Sequence, residues 1–285
     1  MTDAHLADAL PPASEILADI DRAFAEDVGP GDATADLLDP DATATAVLTC
    51  REDAVLCGTA WFDAAFRKLD PAVQIEWLAN DGDRIPAGSA ICRLAGKARA
   101  LVTAERSALN FLQLLSATAT VTARYADAIA DTTTRVLDTR KTIPGLRRAQ
   151  KYAVRCGGGT NHRIGLFDAM MLKENHIIAA GGIPAAVRQA RAIHPSLPLI
   201  VEVETLDELA QALDAGADRA LLDNFTPAML AEAVAYTAGR MPLEVSGNVE
   251  IDTIRAIAET GVDFISSGAL TKNIRAIDLS LRLNL

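Results

Sequence analysis

Leu199 to Asp223 reads LIVEVETLDELAQALDAGADRALLD. Leu199, Ile200 and Val201 run into Glu202, and Ala220, Leu221 and Leu222 run into Asp223. Between them, Leu206 to Ala215 carries apolar residues at helical spacing, and Ala215-Gly216 closes that helix. Two short aliphatic strands separated by one helix form the unit of a parallel sheet, because the helix must carry the chain back before the next strand starts. Each strand here ends on a carboxylate.

The same pattern continues on both sides. Upstream, Val136-Leu137 leads to Arg140 and Met170-Met171-Leu172 to Lys173. Downstream, Leu243 to Val245 leads to Ser246 and Phe264-Ile265 to Ser267, with a helix from Ile251 to Glu259 closed by Thr260-Gly261. Six strands, seven with Gly159 to Arg163, predict an α/β fold built on an incomplete, about seven-stranded barrel, with polar residues gathered at the carboxyl ends of the strands.

Residues before this region follow another pattern. Ser14 to Asp27 is predicted helical with Ser14 as N-cap, Thr43 to Cys50 and Val73 to Leu78 alternate like strands, and a long helix from Thr103 buries Leu109, Leu112, Leu115 and Ser116. An N-terminal α+β sandwich domain over 1–116 and a barrel over 117–271 are therefore expected. The tail, 272–285, carries Ile274, Ile277, Leu279, Leu281 and Leu283 at apparent helical spacing and is expected to pack back on the first domain. Asp81 to Leu94 is similar to the Gly-Asp…Gly hairpin of biotinyl and lipoyl carriers. Those domains hold a lysine at the hairpin tip, and Lys97 sits past it here, so a structural hairpin is the preferred reading.

Composition narrows the function. Half of the 285 residues are hydrophobic and only 4% aromatic, which suits Ala-rich helices on aliphatic strands. Cys50, Cys57, Cys92 and Cys156 form no C-x-x-C pair, arguing against a disulfide framework or thiolate zinc and for a reducing cytoplasm. The first residues, MTDAHLADALPP, lack the basic-then-apolar form of a secretory signal, and no apolar run suits a membrane span. A net charge of −11 disfavours nucleic acid as a partner.

One window opposes that charge. Nine of the residues from Arg135 to Lys173 are Lys or Arg, against two acids, Asp138 and Asp168. Arg140 and Lys141 follow a strand and precede the Ile143-Pro144-Gly145 turn, a placement suited to holding an anion. Arg147, Arg148 and Lys151 read instead as surface charges on a helix. At the other strand ends, Ser246-Gly247-Asn248 and Ser267-Gly268-Ala269 are small enough for backbone N–H groups to approach a phosphate. Glu202 and Asp223 suit Mg²⁺ held through water and substrate phosphates, or positive charge developing on a sugar, or neutralisation of the nearby cations. Glu204 is left out of the set on the expectation that it faces away from Glu202.

These residues carry a resemblance. DTRKTIPGLR (Asp138 to Arg147), GGGTNHR (Gly157 to Arg163) and LKENH (Leu172 to His176), with FAEDVGPGDAT near the start and SSGALTKNIRAIDLSLRL near the end, resemble the decarboxylating quinolinate phosphoribosyltransferases along nearly the whole chain. The resemblance implies a pentosyltransferase of NAD biosynthesis that takes quinolinate and PRPP with Mg²⁺ and no organic cofactor. It implies that Arg140, Lys141, His162 and Arg163 hold the two quinolinate carboxylates, with Thr139 in the same turn. Lys173, Glu202 and Asp223 would contact ribose and metal-pyrophosphate, and the two Ser-Gly turns the 5-phosphate. Lys141, Lys173, Glu202 and Asp223 would form the catalytic set. It further implies a homodimer, higher assembly being left open, in which Arg106 of Glu105-Arg106-Ser107-Ala108-Leu109-Asn110 reaches the partner's site. Asn248 departs from the family, where many members have a second glycine. Two rivals remain on the residues alone: a Schiff-base barrel aldolase using Lys173, and a non-catalytic pyridine-dicarboxylate binder.

Overall fold

The computed structural model describes residues 4–247 and 249–284. It divides into two compact units: Met1–Ala123 with Ile143–Gly158 and Asn273–Leu285, and Arg124–Thr142 with Gly159–Lys272.

In the first unit, β1 (Thr43–Cys50), β2 (Ala54–Val55), β3 (Gln74–Trp77), β4 (Arg84–Ile85) and β5 (Ala90–Lys97) precede a helix over Ala98–Ala128. β1 alternates as the sequence predicts, with Ala44, Ala46, Leu48 and Cys50 turned inward. The helix starts at Ala98 rather than Thr103, since nothing after Lys97 breaks it. Leu109, Leu112, Leu115 and Ser116 are buried on it, and the hydroxyls of Ser116 and Thr120 receive the Cys57 and Val55 N–H groups at 3.0 and 2.8 Å. Trp61, Phe62 and Phe66 fill the core, and buried Asp19 accepts the Trp61 indole N–H at 2.9 Å.

Several local expectations fail here. The helix predicted from Ser14 begins at Ala13 with Pro12 in the cap position, so Ser14 caps nothing. The reading of Asp81 to Leu94 as a structural hairpin is kept, since Lys97 ends β5 beside Thr43 and is not at a hairpin tip. Lys151, expected on the surface, is 3% exposed on the helix Arg147–Cys156, whereas Arg148 is exposed and pairs with Glu15 at 3.3 Å. The tail is a strand rather than a helix. Leu279–Asn284 pairs antiparallel with β1, from Thr45↔Asn284 to Cys50↔Leu279, giving a sheet that runs from the tail strand through β1 and β5 to β3. Leu279, Leu281 and Leu283 have a period of two, which is a strand's spacing.

The second unit holds β6 (Arg135–Leu137), β7 (Met170–Leu172), β8 (Leu199–Val203), β9 (Arg219–Asp223), β10 (Leu243–Ser246) and β11 (Phe264–Ser266). All are parallel, in the order β6-β11-β10-β9-β8-β7. One helix follows as predicted: Leu206–Asp214 starts at Thr205, whose hydroxyl accepts the Glu208 N–H at 3.2 Å, and Gly216 (φ +83°) turns the chain toward β9, whereas the helix expected from Ile251 to Glu259 is confined to Ile254–Ala258. The proposed seventh strand shrinks to one bridge between Thr160 and Leu137. Side-chain bonds take the next backbone groups instead: the Asp168 carboxylate accepts the N–H groups of Ile164 and Gly165 at 2.7 and 2.8 Å. The barrel is therefore open, with six strands. Among the described residues no helix is long and apolar enough to cross a membrane.

Candidate active site

The carboxyl ends of these strands surround a cavity of about 450 Å³. Thr139, Arg140 and Lys141 enter it after β6, Lys173 after β7, Glu202 from β8, Asp223 from β9, Ser246 and Gly247 from β10, and Ser267, Gly268 and Ala269 after β11. His162 and Arg163 complete the wall. Asn248 lies outside the described residues. Arg106 is exposed on the Ala98–Ala128 helix of the first unit and is not among the lining residues. Glu204 is also outside, but not by strand alternation, because residues two apart share a face. β8 ends at Val203, and the Glu204 N–H is taken by Glu208 at 2.8 Å.

One side of the cavity is strongly cationic. Arg163 is held by the Ala169 carbonyl, which accepts from Nη1 at 2.9 Å, and its Nη2 lies 3.7 Å from Met171 Sδ. Burial lowers the Arg163 pKa from its ordinary value, and the nearby charge of Arg140 lowers it further, against the opposing pull of Asp168 and Glu244. Two guanidiniums that disfavour each other's charge are stabilised by an anion placed between them.

The residue that ties these segments together was missed in the sequence. Asp138 is fully buried; its carboxylate accepts Asn161 Nδ2 at 2.6 Å and the His162 N–H at 2.8 Å. It thereby joins the Thr139–Lys141 turn to the segment carrying His162 and Arg163. Gly268 closes the same corner. A Cβ there would stand 2.9 Å from Lys141 Cδ and 3.6 Å from Thr139 Oγ1, so a larger residue would have to push the Lys141 side chain aside. The turn is braced by the Thr271 hydroxyl, which donates to the Lys141 carbonyl at 2.8 Å.

Glu202 and Asp223 bring acids to the cavity from β8 and β9. Lys173 Nζ forms an ion pair with Glu202. Asp223 Oδ2 accepts Asn224 Nδ2 at 3.1 Å, and Ser246 Oγ lies 3.5 Å from Oδ1. Asn224 adopts φ +57°, a left-handed conformation that asparagine tolerates better than most side-chain-bearing residues, directly after the strand-end acid. Gly247 (φ +95°) follows Ser246, and a Cβ there would press within 3.3 Å of Asp223 Oδ1. Ser267 uses its hydroxyl internally, donating to the Val249 carbonyl at 3.2 Å and accepting the Ala269 N–H at 3.3 Å. Its contribution to an anion is therefore through backbone.

The family models agree with this arrangement. Residues 118–282 match the C-terminal domain and residues 32–116 the N-terminal domain of quinolinate phosphoribosyl transferase. The chain belongs to the quinolinate phosphoribosyl transferase family. It is 41% identical, over 96% of its length and 79% of the relative's, to the nicotinate-nucleotide pyrophosphorylase [carboxylating], chloroplastic, of Oryza sativa subsp. japonica. It is 38% identical to a probable nicotinate-nucleotide pyrophosphorylase [carboxylating] of Bacillus subtilis, over 92% of this chain and 91% of that one. The solved structure of the nicotinate-nucleotide pyrophosphorylase from Francisella tularensis superposes with a TM-score of 0.94 at 49% identity, covering 96% of this chain and 98% of the other. Membership of the quinolinate phosphoribosyl transferase family makes the chain a pentosyltransferase, and nothing supports the Schiff-base or silent-binder alternatives.

Proposed function

We propose that the chain transfers the phosphoribosyl group of PRPP to quinolinate, releasing pyrophosphate and carbon dioxide and leaving nicotinate mononucleotide. The observation that carries this reading is one cavity lined by both Arg140 and Arg163 and by Glu202 and Asp223, in a chain of this family. Arg140, Arg163 and Lys141 hold the two carboxylates and turn the ring nitrogen toward the ribose. As pyrophosphate departs, Glu202 and Asp223 face the oxocarbenium-like sugar, and Lys173 meets phosphate or ribose oxygens. The backbone after β10 and β11 takes the 5-phosphate. Once alkylated, the pyridinium nitrogen accepts the electron pair released when the neighbouring C–CO₂ bond breaks. The substrate is thus its own electron sink, and no organic cofactor is needed.

Glu202 and Asp223 are the residues of this cavity that would hold a magnesium ion. No three Asp, Glu, His or Cys donor atoms cluster in the cavity among the described residues; the single such cluster is Cys57, Asp81 and Cys156 in the first unit. Glu202 and Asp223 would hold the ion through water and substrate phosphates, and it would supply charge neutralisation for the pyrophosphate. Glu202→Ala and Asp223→Ala are expected to raise the PRPP KM about tenfold or more while quinolinate binding by calorimetry shifts less than about threefold. The reverse pattern sinks the assignment. A reducing cytoplasm is the proposed compartment; the four cysteines are free and buried.

The reaction itself is tested by mixing the chain with PRPP, Mg²⁺ and either quinolinate or nicotinate. Losing one charge-assisted carboxylate pairing costs about 1.5–3 kcal/mol, so kcat/KM for nicotinate should fall at least about tenfold below that for quinolinate. Equal turnover of the two pyridines refutes the proposed substrate.

A further inference from the structure

Glu244 sits on β10, two residues before Ser246, and is 0% exposed although it lines the cavity. Its Oε2 accepts from Arg219 Nη1 at 2.9 Å and stands 3.3 Å from His162 Nε2. The Arg219 guanidinium in turn lies over the Phe264 ring, 4.2 Å from its centroid. Burial pushes the Glu244 carboxyl up, but hydrogen bonds from His162, Ser266 and Arg219 bring it below its ordinary value. A carboxyl group facing a guanidinium and an imidazole is thus enclosed in an aliphatic sheet.

A buried ion pair is a poor way to hold a sheet together, since a well-packed apolar pair of similar volume does as well or better. The charge must be explained by what it touches, and it touches His162. The Nδ1 of that ring accepts the Arg163 N–H at 2.6 Å. A nitrogen accepting a hydrogen bond carries no proton, which puts the ring proton on Nε2, facing Glu244. Arg219, Glu244, the His162 ring and the main chain of Arg163 therefore adjoin in a row, the Glu244–His162 step being a 3.3 Å contact.

We propose that Glu244 is a positioning residue for the pyridine-dicarboxylate half of the cavity, holding the His162 ring so that Arg163 presents its guanidinium to a substrate carboxylate. This rests on the reading that the Arg140–Arg163 side binds quinolinate. Glu244 never meets the substrate itself; it acts through His162.

The test separates this role from a structural one. Glu244→Leu combined with Arg219→Met removes both charges and leaves no ion unpaired, so a residue present only for the ion pair would be fully replaced. The expected result is a double variant with wild-type far-UV circular dichroism, a quinolinate Kd raised about tenfold or more by calorimetry, and a PRPP Kd within about twofold of wild type. Glu244→Gln, which keeps an acceptor for Nε2–H, should lie between the two. In the unmodified chain, imidazole ¹⁵N shifts assigned by comparison with His162→Gln should show the Nε2–H form, a measurement that holds even if a variant fails to fold. A folded double variant with unchanged quinolinate affinity overturns the proposal, as does a His162 ring protonated on Nδ1. A wild-type chain that binds quinolinate but forms no nicotinate mononucleotide defeats the functional reading and leaves this one standing.

Discussion

Arg140→Lys lowers kcat/KM for quinolinate by roughly a hundredfold, although the charge is kept. The expectation follows from what surrounds the residue. Arg140 follows β6 and shares the cavity wall with Arg163, whose pKa its charge helps to lower. A substrate carboxylate between them adds to the partial relief that Asp168 and Glu244 already give Arg163. A guanidinium meets that carboxylate with two parallel N–H bonds from a rigid plane, whereas an ammonium offers one point of charge on a flexible stem. Losing one charge-assisted bond and the fixed orientation amounts to about 1.5–3 kcal/mol, a tenfold to hundredfold or greater change in rate. Misdirecting the ring nitrogen adds to it, because attack on the ribose needs the reacting atoms aligned. The PRPP KM should stay within about threefold, since the 5-phosphate and pyrophosphate contacts lie on other strands. Retention of more than about a third of wild-type kcat/KM would show that the planar fork is not required.

Much of the second unit was legible because its signals are local. A short aliphatic run, a polar strand end, a helix and a glycine recur, and each of these is set by residues next to one another. The strand ends and the family resemblance together gave most of the polar lining of the cavity, from Thr139 to Ala269, but not Glu244, Glu250 or Lys272. What was missed depends on partners distant in sequence. Asp138 looked like an isolated acid in a basic window, yet its use is set by Asn161 and His162, more than twenty residues on. Glu244 sits between Leu243 and Val245, and an acid inside an apolar strand was the available signal; only Arg219 and His162 explain it. The tail was misread for another reason. Ile274 and Ile277 suggest a helical turn, but the strand period of Leu279 to Leu283 is what pairs with β1. Lys151 shows that a basic run does not determine which of its members is buried.

Two inactive variants should restore activity when mixed. The proposed assembly is a homodimer in which Arg106 of each chain completes the partner's cavity. Arg106 is exposed on the Ala98–Ala128 helix and makes no salt bridge among the described residues. Glu105 beside it is a poor partner, because adjacent side chains diverge on a helix; burial raises the Glu105 carboxyl, with Arg106 only partly opposing. An exposed arginine without a local carboxylate is available to an anion elsewhere. Two-fold symmetry would then build two identical sites, each drawing Arg140 from one chain and Arg106 from the other. Arg106→Ala and Arg140→Ala homodimers should each lose about a hundredfold or more in kcat/KM, since both lack a cation at every site. In a heterodimer the two sites differ. One carries both substitutions, while the other has wild-type Arg140 from the first chain and wild-type Arg106 from the second. Equimolar mixing with full exchange makes half of the dimers mixed, each with one intact site, so activity should return to about a quarter of the wild-type level per chain. Native mass spectrometry of differently tagged chains measures the exchange. If mixed dimers form and activity stays at the level of the parents, Arg106 serves its own chain or none, and the shared site is wrong.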